Sequence, residues 1–464
     1  MAQIDLSESM TRAEKRAASG LAAIFGLRML GMFLILPVFA LYAEDLQGGD
    51  NYTLVGLALG IYGLTQAILM IPFGMASDRI GRKKVIIFGL IVFAFGSFVA
   101  MAATDIYWTI IGRALQGAGA ISAAVTAMLA DLTREEHRTK AMALIGSTIG
   151  IAFAVSLAAG PALNRLIGVP GIFAMTGILA LAAIWVVKVW VPDPADTHFH
   201  ADAQANPAKL ADVLKNDQLA RLDFGIFALH AAQMAMFVVV PVALVNSGLA
   251  ADHHWAVYLP VLLGSFVLMV PAIIIGEKRG QMKPVFIGGV ALMLLAQLGL
   301  AYGIEHFWGI VWALFFYFVA FNLLEASLPS LISKLAPASA KGTAMGVYNT
   351  AQALGLFFGG VFGGWLAQHY GFAAVFIFCV ILMAIWLLAS LSMTPPPAIK
   401  TRLFRVGAMP ADEAALLKMQ LAEVAGVVEA VVLAEEGVAM LKVSLKGWDE
   451  AAARTLLDAP ARQA

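Results

Sequence analysis

Cysteine is almost missing from this chain: Cys379 is the only one in 464 residues. One thiol builds neither a disulfide framework nor a thiolate metal site, and it leaves the redox compartment unreadable. Charge is also scarce, at 13% of residues, and it balances to a formal net of zero. That removes the electrostatic case for nucleic acid as a partner. There is no Ser-His-Asp arrangement, no metal-ligand spacing and no phosphate-binding loop, so an enzyme and an ATP-driven pump are both disfavoured. His198 and His200, and the pair His253-His254, come nearest to ligand spacing, and solvated surface histidines are the expected reading. What the chain has in quantity is apolar surface: 61% hydrophobic residues and a mean hydropathy of +0.84. That composition belongs to the membrane class.

A helix needs about 20 apolar residues to cross the hydrocarbon. Twelve such runs are expected, at 18–42, 53–76, 85–103, 106–130, 141–163, 169–191, 222–246, 255–276, 284–303, 307–333, 343–367 and 372–394. The first is too long for the core of a cleavable signal and lacks a cleavage pattern, so it is read as a retained anchor. Before it, Thr11 to Glu14 has capping-box spacing, and a short interfacial helix is expected there. Loops after runs 1, 3, 7, 9 and 11 carry no Lys or Arg, and the loop after run 5 has Arg165 alone. The N-terminus and the loops after runs 2, 4 and 8 carry three or four each. This alternation places both termini in the cytoplasm.

Residues 192–220 are polar and rich in Pro and Ala, and they divide the runs into two sets of six. Residues 77–89 and 276–288 echo each other across that divide, a repeat of the kind seen in transporters with a midplane site. The expected organisation is an all-α membrane protein of two six-helix bundles, 1–191 and 221–397, joined by a cytoplasmic linker at 192–220. A small α+β domain at 398–464 follows, in the order β-α-β-β-α, which is ferredoxin-like. A packing appendage and a domain that binds a ligand or partner are both open for it.

A charge at mid-membrane costs roughly 2.5–3.5 kcal/mol on insertion scales, so each one needs a reason. Arg28 lies in run 1, Gln66 in run 2, Arg113 and Gln116 one turn apart in run 4, His230 and Gln233 in run 7, and Asn322 and Glu325 in run 10. For the histidine and the amides, interhelical hydrogen bonds suffice. For Arg28, Arg113 and Glu325 a functional pathway is the better account. A fixed arginine can hold an anionic substrate or tune a nearby carboxylate. Gly117 and Gly119 beside Arg113 permit close helix approach.

Three stretches carry a family resemblance. "GMASDRIGRKK" (Gly74, Asp78, Arg79, Gly81, Arg82) resembles the loop 2–3 signature of the major facilitator superfamily. "RALQGAG" resembles the helix-4 signature of its proton-coupled members. Gly146 and Gly150, followed by Gly160-Pro161, resemble the helix-5 antiporter signature, with longer spacing and with Ala162-Leu163-Asn164 where a glycine pair follows in the family. The resemblance covers residues 15–394. It implies a major facilitator fold with alternating access about a central cavity, and a helix-5 hinge at the four residues just named. It implies a small-molecule substrate, protons as the driving partner, no cofactor and a monomer in the lipid bilayer of the inner membrane. The implied activity is proton-coupled export of amphipathic or drug-like compounds. A metabolite symporter or uniporter on the same fold stays open, as does a transporter-like sensor governed by the terminal domain. Asp78 is expected to dock on the start of run 11 as a cytoplasmic latch. Arg79 and Arg82 are expected to reach Asp131 or Glu135, and Arg138 belongs to the same group. Met29, Met32, Phe33, Tyr62, Met234, Phe237, Tyr317 and Phe321 are candidate lining residues for apolar cargo.

Overall fold

The computed structural model describes residues 10–193, 206–395, 399–434, 437–444 and 447–457. The first half comprises α1 (Arg12–Phe33), α2 (Phe39–Ala43), α3 (Tyr52–Ile80), α4 (Arg82–Met101), α5 (Ile106–Ala118), α6 (Ser122–Leu132) and α7 (Glu135–Trp185). The short α8 (Leu210–Leu214) leads into the second half: α9 (Asp217–Asn246), α10 (Trp255–Arg279), α11 (Met282–Gly303), α12 (Phe307–Leu335), α13 (Lys341–Tyr370) and α14 (Phe372–Leu391). The terminal domain comprises β1 (Ile399–Arg405), α15 (Ala411–Ala422), β2 (Val427–Leu433), β3 (Val438–Ser444) and α16 (Glu450–Leu457).

Helix starts follow local chemistry. Asn51, Asp105 and Asn216 each accept backbone N–H bonds from the first turn of the helix they precede. Ten described helical stretches are long and apolar enough to cross a membrane. The stretch from Lys140 to Trp190 has 51 residues, enough for two passes, and breaks at Gly168, where φ is +68°. The break falls between the fifth and sixth expected runs, where only glycine adopts that backbone without strain. The first run differs from expectation. Its helix stops at Phe33, five residues turn, and α2 takes up the remainder. The capping box at Thr11 and Glu14 is present, but it opens α1 itself rather than a separate interfacial helix. In this state α7 runs on through Gly146, Gly150 and Gly160-Pro161, and its non-helical residue is Gly168.

Glycine sets how closely the halves approach. A Cβ on Gly56 of α3 would lie 2.0 Å from the Gly360 carbonyl oxygen of α13, and one on Gly364 would lie 2.1 Å from the Tyr52 oxygen. The Tyr52 N–H also donates to Gln368 Oε1 at 2.8 Å. An aromatic seam continues this contact inward. Phe33 meets Phe153 at 5.1 Å, and Phe153 meets Phe318 and Phe321 of the other half at 6.2 and 5.7 Å. These contacts close the molecule at the face opposite the one bearing the linker and the terminal domain. Toward the linker face the halves part. Any Cβ on Gly146 or Gly150 of α7 would meet open space. Asp78 at the end of α3 keeps 48% of its side chain exposed. A depression of about 400 Å³ lies beside it, lined by Pro72, Met75, Ala76, Arg79 and Ile80.

The terminal domain has the expected β-α-β-β-α order. Its sheet runs β1-β3-β2, antiparallel throughout, with Met440 opposite Leu403 on one side and Val431 on the other. One face, with Ala439, Leu441 and Val443, packs on Leu421 and Ala453 of the two helices. The other face, with Val438, Met440 and Lys442, is buried too. It lies against the turn between α12 and α13, while β1 touches α7. Lys442 donates to the Ala336 carbonyl at the C-terminus of α12 and pairs with Glu429 at 2.9 Å.

Candidate functional site

Below the aromatic seam, each half presents a polar cluster. In the first half the cluster forms because polar side chains face inward from apolar helices. Arg28 of α1 donates from Nη1 to Ser122 Oγ at 3.0 Å and from Nη2 to Gln66 Oε1 at 3.2 Å. Arg113 donates from Nη1 to Gln116 Oε1 at 2.8 Å, and Gln116 passes the chain to Ser97 Oγ at 2.8 Å. Both guanidinium groups lie over the Tyr62 ring, at 5.5 and 5.0 Å from its centroid. Gly117 brings α5 onto α3, since a Cβ there would sit 2.2 Å from the Tyr62 oxygen. The structure therefore joins Arg28, Gln66, Arg113 and Gln116 about one tyrosine.

In the second half, His230 Nδ1 meets the Ile226 carbonyl at 3.2 Å, which leaves Nε2 free to accept from Gln352 Nε2 at 2.8 Å. Gln352 also donates to Glu325 Oε1 at 3.4 Å, and Glu325 Oε2 lies 3.8 Å from His230 Nε2. About a third of the Glu325 side chain, 31%, is exposed to the space beneath the seam. Its Oε2 has no hydrogen-bond partner, and neither does the Tyr348 hydroxyl one turn before Gln352. Gln233 stands apart with its Oε1 unpartnered. Asn322 donates to Ser265 Oγ of α10 at 2.8 Å. Tyr317 and Phe321 stack at 5.9 Å, and Phe321 packs on the His230 ring. Met29, Met32, Phe33, Tyr62, Met234, Phe237 and Tyr317 are buried in this state.

At the linker face, Arg82 is the hub. It donates to Asp131 Oδ2 at 3.0 Å and Ser77 Oγ at 2.8 Å, and it pairs with Asp78. The expected reach from Arg82 to Asp131 is present. Asp78 does not dock on the start of α13 in this state, because Arg82 of the following helix is its nearer partner. Thr343 near the start of α13 instead accepts the Asn206 N–H at 2.9 Å. Arg79 lines the depression, and Arg138 is buried with Nη2 3.5 Å from the Ala130 carbonyl. Gly74 packs against Ala123, and Gly81 has φ +103° between α3 and α4, a turn open only to glycine. Outside the spans, Glu14 is bound by Arg134 through its guanidinium at 2.9 Å and its N–H at 2.9 Å. Burial alone would raise the Glu14 carboxyl, but these bonds and Thr11 hold it down to about 2.

Two expectations on histidines resolve differently. His254 is buried with both ring nitrogens unpartnered, so it is not the solvated residue expected. His253 is exposed and meets Asp252 at 2.8 Å. His198 and His200 lie outside the described residues. Sequence reading missed Ser97, Ser122 and Gln352. Gln352 had a signal: it is the one amide in the apolar run from 351 to 366.

The chain matches the family model described as Major Facilitator Superfamily over residues 21–359 and 222–422. It is 45% identical to the inner membrane transport protein YajR of Escherichia coli K12, over 94% of this chain and 96% of that one. It is 27% identical to the multidrug resistance protein MdtH of Yersinia enterocolitica, over 73% of this chain and 83% of that one. Its fold is similar to the crystal structure of a bacterial homolog of the human lysosomal transporter Spinster in an inward-facing, occupied conformation. The TM-score is 0.67 at 12% identity, covering 82% of this chain and 97% of that one.

Proposed function

Since this chain belongs to the major facilitator superfamily, a family of membrane transporters and not of enzymes, we propose that it is a proton-coupled exporter of small amphipathic compounds. It works by alternating access, with both termini in the cytoplasm and the described state open to that side. The observation that carries the reading is Glu325, a carboxylate placed between His230 and Gln352, one oxygen unpartnered and the side chain partly open beneath the seam. A carboxylate so placed can load a proton from the cavity, and a proton bound there changes the charge that the closing halves must bury. The distant multidrug resistance relative supports export. The expected latch completes the cycle: Asp78 leaves Arg82 and docks at the N-terminus of α13, where the helix dipole favours an acid.

The test is proton flux in proteoliposomes. Glu325→Gln is expected to keep the fold and to lose proton movement driven by cargo. Retained coupling places the proton site elsewhere. The dock of the terminal domain on the end of the helix that bears Glu325 favours a regulatory role for that domain over a mere appendage.

A further inference from the structure

Charge inside the spans is segregated. In the first half, no Asp or Glu occurs in 15–43, 51–77, 79–104, 106–130 or 137–192, yet Arg28 and Arg113 lie within that interior. In the second half, no Lys or Arg occurs in 222–277 or 284–333, yet Asp223 and Glu325 do. Both arginines are buried to within 2% of fully. Among the described residues neither forms an ion pair, and each keeps one nitrogen without a hydrogen-bond partner: Arg28 Nε and Arg113 Nη2. The Tyr62 hydroxyl between them is unpartnered too. A desolvated guanidinium that meets only neutral oxygens is under-compensated, and two of them around one ring repel each other.

The arrangement at Arg28 has a form. Its Nη1 and Nη2 already hold two oxygens side by side, one from a serine on α6 and one from an amide on α3. A planar fork of that kind is matched best by the two oxygens of one carboxylate. Gln66 is the partner able to give way, because its side chain is only half-buried while Ser122 is buried. Five residues on from Arg28 in α1, Phe33 opens the aromatic seam with Phe153 and Phe321.

We propose that Arg28 anchors an anionic group of the cargo, a carboxylate carried on an apolar aromatic body, by replacing the Gln66 oxygen. Arg113 adds a second fixed positive charge behind the anchor. Cargo and proton then occupy different halves, the anion on α1 and the proton on α12. This deepens the transporter reading by naming a cargo class, and it rests on that reading only for the cavity.

The experiment uses the purified full chain in nanodiscs with three probes of one shape: 2-naphthoate, 2-naphthamide and 2-naphthylmethylammonium. Thermal melting and direct binding are read for each. Naphthoate is expected to raise the melting temperature and the other two are not. Arg28→Gln should weaken naphthoate roughly tenfold or more, the loss of a charge-assisted pair. Arg28→Lys should fall between, since it keeps charge but not the fork. If Arg28→Gln fails to fold, Gln66→Glu serves instead: it supplies the carboxylate in place, so it should raise melting and abolish naphthoate binding. Arg454→Gln, on the terminal domain, should change nothing. Equal binding of amide and carboxylate, preference for the ammonium, no response to any probe at millimolar concentration, or full naphthoate binding in Gln66→Glu each overturns the proposal. Glu325→Gln should still bind naphthoate, so failure of the proton reading is seen separately, in the flux assay.

Discussion

Gly56→Ala offers a test of how the halves are held together. The added Cβ would lie 2.0 Å from the Gly360 carbonyl oxygen, where ordinary contact begins at 3.4 Å, a deficit of about 1.4 Å. The obstacle is backbone, so no side-chain rotation relieves it. The two helices must part. Overpacking of this kind costs about 1–3 kcal/mol. Alanine also gains up to about 1 kcal/mol over glycine in helix propensity. That gain applies in both conformations, so it cancels from the balance between them. The equilibrium should therefore move away from the state closed at the outer face by about 5- to 150-fold. The readout is a cysteine at Ala367, buried at the outer end of α13, labelled by an impermeant maleimide. The native Cys379 is fully buried and gives a quiet background. Labelling should rise at least fivefold in Gly56→Ala. Gly288→Ala, whose Cβ meets open space, should leave it unchanged. Equal labelling in a well-folded Gly56→Ala protein would refute the seam.

Three further outcomes follow from individual contacts. Glu14 has a carboxyl depressed to about 2, below the ordinary value of 4.5, so its contribution is present above about pH 4.5 and is lost as pH falls toward 2. That difference is worth roughly 3 kcal/mol; Glu14→Gln should melt lower than the parent at pH 6, and the gap should narrow as pH falls below about 4.5 and close only near pH 2. Asp78→Asn should leave melting nearly unchanged, since an ion pair with a half-exposed partner contributes about 1 kcal/mol or less, but it should abolish transport in vesicles. Lys442→Met removes the donor to the Ala336 carbonyl, and limited proteolysis between the last span and β1 should speed up.

The passes, their division into halves and the terminal domain were legible because each depends on composition over many residues. The clusters were legible in part. Arg28, Gln66, Arg113 and Gln116 stood out one by one as polar groups in apolar runs, but that they meet around Tyr62 is a matter of helix packing, which no single run encodes. Gly56, Gly360 and Gly364 were unreadable as a seam: glycine is frequent in membrane helices, and only the partner backbone distinguishes a contact from a spacer. Asp78 was read as docked on α13 because a helix N-terminus favours an acid. Arg82, four residues away across a glycine turn, wins in this state. The burial of His254 was invisible because its neighbours Asp252 and His253 are polar.

The two ends of the molecule are held by forces with different sensitivities. The outer closure is backbone against backbone at Gly56, Gly360 and Gly364, continued by apolar rings. Such contacts carry no titratable group and respond little to salt. The linker-face end is a charge cluster of unequal members. Arg82 and Asp131 are 2% and 0% exposed, while Asp78 is 48% exposed. Removing one partner of the buried pair leaves an uncompensated charge and costs about 3–5 kcal/mol, so that pair is expected to persist through the cycle. Asp78 is screened at physiological ionic strength, where the Debye length is about 8 Å, and its exchange from Arg82 to a helix N-terminus requires little net energy. The member that moves is therefore the exposed carboxylate, and salt should shift the balance of states through this end alone. If the salt dependence of Ala367→Cys labelling persists in Asp78→Asn, the division of roles between the two ends is wrong.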